Sequence, residues 1–234
     1  MKRLEKFTFR TIHTDYLRFA VLSYLDSQKE ADHNHSDPYV NRHVVETIRY
    51  SFDCLDAAIK FIYLIGSTGQ LPITIPTNWL TRYMQRQWSG LSLSDSIGLL
   101  SFSWTGQAFW QTSEQHQLFE DLRKLRGGLT HPKPIGTSVF RLPDQSTVEE
   151  LLEPRFLVHS KPIAQFHESL TLLDDSDAGQ ALAIMLHHLM RIDQLFLQGT
   201  YSTQFAYHDQ ETNEIRGATR LLQLVNCRFA EYWQ

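Results

Sequence analysis

The stretch VVETIRYSFDCLDAAIKFI, residues 44–62, decides the fold class. Val44, Ile48, Phe52, Leu55, Ile59 and Ile62 recur in it at steps of four, four, three, four and three. That spacing lines one face of an α-helix with apolar side chains, and it predicts a helix from about 42 to 65 with Phe52, Leu55, Ile59 and Ile62 turned into a core. Upstream, Leu17, Val21, Tyr24 and Leu25 repeat at helical spacing between Thr11 and Glu30, and the polar run DHNHSDP at 32–38 ends that helix. Downstream, GSTGQLPITIP at 66–76 interrupts the pattern. TNWLTRYMQRQW at 77–88 resumes it, with Thr77 or Asn78 available as a cap.

Further along, GLSLSDSIGLL offers Ser92 or Ser94 as a helix start and Ile97, Leu99 and Leu100 as a short apolar face. Ser113 precedes a helix carrying Leu118, Leu122 and Leu125, acidic early and basic late as the helix dipole favours. Beyond Pro132 the pattern changes. TSVFRLP and RFLVHSKP read as short extended segments around one acidic turn, TVEELLE. A strong helix returns over Asp177–Leu197 on the stripe Leu182, Met185, Leu189, Ile192 and Phe196, and ETNEIRGATRLLQLV is a weaker helical candidate. The chain is therefore expected to be mainly α: a helical bundle over 1–135, and an extension over 136–234 of short extended segments with one or two helices, packed on that bundle.

Composition narrows the function classes. Apolar residues make up 42% of the 234 and charged residues 21%, as in a packed globular protein. A formal charge of −4 excludes a global basic field, so any contact with nucleic acid must be local. Two distant cysteines, Cys54 and Cys227, argue against a disulfide framework. The N-terminal stretch lacks an apolar h-region and no run approaches the ~18 apolar residues of a bilayer span, so a cytoplasmic protein without membrane contact is expected.

The chemistry candidates centre on LRKLRGGLTHPKP, residues 122–134, where Arg126 and His131 bracket two glycines. Read mechanically, adjacent glycines followed by Pro132 are a helix C-cap. Read with the helix at 42–65 and the middle segment LSLSDSIGLL, the stretch resembles the HEPN family, whose signature is an Arg, four to six residues and a His. The resemblance covers roughly residues 40–135. It implies an all-helical domain that dimerises and, in active members, cleaves RNA without a metal, with Arg126 and His131 as site residues and no cofactor. It also implies an acidic residue on the helix at 42–65. Asp53 and Asp56 both lie there; Asp56 is assigned the role of orienting Arg126, and Asp53 is read as a solvated helix residue. The family commonly places a polar residue, often Asn, after the Arg, where this chain has Gly127 and Gly128.

That chemistry follows from the residue types. Histidine titrates near neutrality and so can donate or accept the proton of an RNA 2′-hydroxyl, while a guanidinium forks onto two phosphate oxygens. The expected partners are RNA, a second copy of the chain, and a protein antitoxin or regulator. The biological setting implied by the resemblance is a toxin or a defence effector. The competing class is a non-catalytic HEPN-like dimer that binds RNA, a nucleotide or a protein.

Other candidates read as structural. His33, His35 and His43 with Asp32 and Asp37 lack the regular spacing of a metal site. His187 and His188 are given no role. Trp79, Trp88, Trp104 and Trp110 can stack bases or fill a core, and the core is the favoured reading. No G-x-S-x-G elbow, phosphate loop or dinucleotide fingerprint is present.

Overall fold

The structure, a computed structural model, describes residues 12–33, 42–130, 133–134, 140–141, 147–148, 156–157, 166–167, 173–199, 206–208 and 214–225. Among these the chain is mainly helical, with seven α-helices: α1 (Ile12–His33), α2 (Arg42–Ser67), α3 (Trp79–Gln87), α4 (Leu93–Thr105), α5 (Ser113–Thr130), α6 (Asp175–Ile192) and α7 (Ala218–Leu224). The extended segments form three antiparallel ladders of two strands. β1 (Lys133–Pro134) pairs with β4 (Phe156–Leu157), β2 (Phe140–Arg141) with β3 (Thr147–Val148), and β5 (Ala206–His208) with β6 (Ile215–Gly217). The rest of the expected strand-and-turn region from 135 to 165 lies outside the described residues.

The stripe at 44–62 does what its period requires. Val44, Ile48, Phe52, Leu55, Ile59 and Ile62 are all buried, and α2 packs against α1, α4, α5 and α6. Each such side chain contributes about 1.5–3 kcal/mol of transfer free energy relative to exposure. Helix α6 is enclosed more completely still: Ala181 through Leu186 and Leu189 have almost no exposure, with α1, α2 and α7 around it. One hydrophobic cluster runs from Leu17 to Val225, so the core continues across residue 135 without interruption.

Helix ends follow local chemistry. Asn78 caps α3 by accepting from the Thr81 amide at 2.8 Å, and Ser92 caps α4 by accepting from the Asp95 amide at 3.1 Å. Gly106 ends α4 in the left-handed region, φ 72°, its amide donating to the Phe102 carbonyl. Asp174 and Asp177 form a reciprocal capping box at the start of α6. After Ile192 the helix widens into a π-helical turn, Asp193–Leu197, in which Leu195, Phe196 and Leu197 are all buried. No described helix is long and apolar enough to cross a membrane.

Candidate active site

Helix α5 turns Leu118, Leu122 and Leu125 into the core, leaving Arg126 at the margin between core and solvent. Across from it, α2 presents Phe52 and Asp53. Arg126 Nη2 donates to Asp53 Oδ1 at 3.1 Å, and the guanidinium carbon lies 5.9 Å from the centre of the Phe52 ring. Phe52 in turn packs against Phe119 of α5, ring centres 6.2 Å apart. The arginine is thus held by a carboxylate and an aromatic face from one helix, while 37% of its side chain stays exposed. Arg126 Nε is buried with no hydrogen-bond partner.

The acidic partner differs from the expected one. Asp56 does not meet Arg126; it accepts from Lys60 Nζ at 2.6 Å, one turn further along α2. Asp53 and Asp56 are separated by only about 60° around the helix axis. Which of them receives Arg126 is therefore set by how α5 lies on α2, and the contact of Phe119 with Phe52 puts α5 beside Asp53. The sequence-based assignment of Asp53 as a merely solvated residue is corrected accordingly.

The glycines also behave differently from a C-cap. Helix α5 continues through Gly127 and Gly128 to Thr130, whose hydroxyl donates to the Arg126 carbonyl at 3.1 Å. Gly127 is not among the described glycines with positive φ, and a Cβ placed on it meets nothing within 4 Å. His131, the next residue after the helix, lies outside the described residues, as do the side chains of Asp32, His33, His35 and Asp37.

Among the described residues, the other histidines mostly serve packing. His43 faces Glu46 at 3.4 Å. His188 is buried with Nδ1 2.7 Å from the Ile184 carbonyl, its ring set against Phe109 and Phe119. Burial lowers the pKa of His13, His187 and His188 to about 4, with neighbouring imidazoles adding to the effect for the last two. Burial likewise pushes the Cys54 thiol up, which leaves it unreactive.

One cluster with metal-ligand character escaped the sequence reading. His167, Asp174 and Asp177 bring ligand atoms within 4.8 Å of one another. Those atoms are already engaged. Asp177 Oδ2 lies 2.8 Å from His167 Nδ1 and accepts from the Asp174 amide at 2.9 Å, Asp177 Oδ1 accepts from the His167 amide, and Asp174 caps Ser176 and Asp177. The capping spacing is visible in DDSD at 174–177, whereas nothing in the sequence places His167 beside it.

Of the four tryptophans between 77 and 112, Trp88, Trp104 and Trp110 pack with the core as expected. Trp88 and Trp104 both stack with Tyr63, with ring centres 4.1 and 6.3 Å away. Trp79 does not: three quarters of it, 75%, is exposed. No family model matches the chain, and no curated protein or solved structure matches it.

Proposed function

We propose that the chain is a metal-independent endoribonuclease of the HEPN type that works as a homodimer in a toxin or defence setting. The observation that supports this reading is the bond from Arg126 on α5 to Asp53 on α2. It joins the two segments that carry the resemblance, and it supplies the acidic residue on the earlier helix that the resemblance implies. An arginine fixed on one side by a carboxylate, with its Nε buried, keeps its remaining Nη N–H groups for phosphate oxygens in a set direction.

The reaction follows from those groups. A base takes the proton of the 2′-hydroxyl, the 2′-oxygen bonds to the adjacent phosphorus, and the bond from phosphorus to the 5′-oxygen breaks as an acid returns a proton to it. Arg126 stabilises the charge that develops on the phosphorane oxygens, and His131 exchanges the protons. A second copy of the chain supplies the second histidine, so that base and acid are separate groups. A protein antitoxin or regulator fits the same setting.

The test is cleavage of single-stranded RNA in excess EDTA, with a 2′,3′-cyclic phosphate as product and DNA left intact. His131→Ala is expected to lower the rate by roughly 10²–10⁴, and Arg126→Lys to cripple it while keeping the charge. Light scattering is expected to report a dimer. A folded dimer that binds RNA and cleaves none, or full activity in His131→Ala, favours the non-catalytic module.

A further inference from the structure

Helix α3 shows a face that its fold does not explain. Its inner side is ordinary: Thr81 and Met84 are buried, Thr81 shares a hydroxyl hydrogen bond with Ser103 of α4, and Ser103 also reaches the capping Asn78 at 3.5 Å. On the outer side stand Trp79, Arg82, Tyr83 and Arg86. At about 100° per residue these four fall within an arc of about 100°, alternating aromatic and cationic along one face. All four are exposed, Trp79 to 75% and Tyr83 to 46%.

The charge on this face is uncompensated. The helix, WLTRYMQRQ, contains no acidic residue, and neither Arg82 nor Arg86 forms an ion pair among the described residues. Several other described arginines do meet a carboxylate, Arg42 with Glu46, Arg123 with Glu120 and Arg126 with Asp53, whereas Arg191 is held by the carbonyls of Ala108 and Phe109. Two arginines four residues apart repel each other on a helix surface. Two large aromatics left in water forgo the burial that aromatic side chains otherwise supply. A local cationic and aromatic face on a chain of net charge −4 is complementary to a flexible polyanion that carries exposed π-faces.

We infer that the outer face of α3 binds single-stranded nucleic acid, with bases stacked on Trp79 and Tyr83 and phosphates on Arg82 and Arg86. Trp79 and Tyr83, four residues apart on the helix, are neighbours on its surface. Stacking of this kind tolerates any base, so the face supplies affinity and positioning with little sequence preference. The inference rests on the ribonuclease reading for the choice of RNA and deepens it: α3 becomes a holding surface for a strand that is cut elsewhere. A lipid surface is the poorer match, because arginines interrupt the aromatics and no aliphatic stripe accompanies them.

The experiment is fluorescence anisotropy with a labelled 2′-O-methyl RNA oligomer of mixed sequence, which binds but lacks the attacking hydroxyl and so separates binding from cleavage. Trp79→Ala is expected to weaken binding on the order of tenfold. The double variant Arg82→Gln/Arg86→Gln is expected to reduce the slope of log affinity against log salt by about 1.4, at roughly 0.7 per phosphate contact. A duplex of the same sequence should bind more weakly than the single strand. Unchanged binding in both variants overturns the inference. So does loss, in Trp79→Ala, of binding to phosphatidylserine vesicles or of the dimer in light scattering while RNA binding is kept, since the face then belongs to a membrane or to a second copy. Variant-sensitive binding without cleavage of unmodified RNA overturns the nuclease reading alone, and cleavage with variant-insensitive binding overturns this face alone.

Discussion

Arg126 on α5 and Asp53 on α2, 73 residues apart in sequence, are joined by a hydrogen bond of 3.1 Å at the edge of the core. With both side chains partly exposed, the pair contributes little to stability, on the order of 0–1 kcal/mol. Its larger effect is on direction, because the carboxylate and Phe52 together fix where the guanidinium points. Asp53→Asn is therefore expected to leave the urea midpoint nearly unchanged and to lower RNA cleavage by roughly 10- to 100-fold, the cost of a misplaced clamp. Asp56→Asn, which breaks only the surface pair with Lys60, should keep full activity. Equal rates in both variants would remove Asp53 from the site.

Gly127 lies within α5 without positive φ, and its missing side chain faces open space. A helix-interior glycine costs about 0.5–1 kcal/mol relative to alanine. Gly127→Ala is thus expected to raise stability by about that amount in chemical denaturation. A destabilised variant would mean that the helix does not run through this position.

Gly66, near the end of α2, is the opposite case. A Cβ there would come within 3 Å of ring carbons of Trp104 and of Leu71 Cδ1. That ring is also packed against Tyr63, stacked with it, and Phe196, edge-on at 6.4 Å. It cannot step aside without disturbing both. Gly66→Ala is expected to destabilise by about 1–3 kcal/mol through overpacking, despite alanine's better helix propensity, and thermal denaturation reads the sign directly.

How much of this was legible depends on whether the deciding interaction is local. The α2 stripe announces itself because a period of 3.6 needs only the sequence to be seen. Helix α4 looked brief because its second face is written in serines; it extends to Thr105 because those hydroxyls are buried with partners, Ser103 on Thr81 and Ser101 on the Gln107 carbonyl at 2.7 Å. The choice of Asp53 over Asp56 required the crossing point of α5, which no spacing encodes. Trp79 was misread for a different reason: counting aromatics favours burial, whereas the helical wheel of WLTRYMQRQ already sets Trp79 and Tyr83 on the same face as Arg82 and Arg86. Arg126 and Gly127 were legible as a motif, but the continuation of α5 past the glycines was not, since glycine permits both outcomes and packing selects one.

The buried imidazoles make stability depend on pH in a direction that can be worked out. His13 packs on Phe61 at 4.9 Å, and its carbonyl accepts from the Cys54 thiol; His188 sits between Phe109 and Phe119. Burial holds both near a pKa of about 4, against 6.5 in an unfolded chain. Above pH 6.5 neither state is protonated and nothing is lost. As pH falls from 6.5 towards 4, the unfolded chain takes up protons that the folded chain refuses, so stability declines and the loss is complete below 4. The interval corresponds to about 3 kcal/mol per group at most, and His187, lowered likewise by burial and by His188, adds to the same acid loss. Urea midpoints should therefore hold steady from pH 8 to 7 and drop steeply between 6 and 4.5. His188→Phe removes one titrating group while keeping a ring in the Phe109–Phe119 slot, so it should flatten that slope by up to about 1.4 kcal/mol per pH interval of one, whatever it does to stability at pH 8. A variant whose acid slope matches the wild type would show that His188 does not stay neutral in the fold.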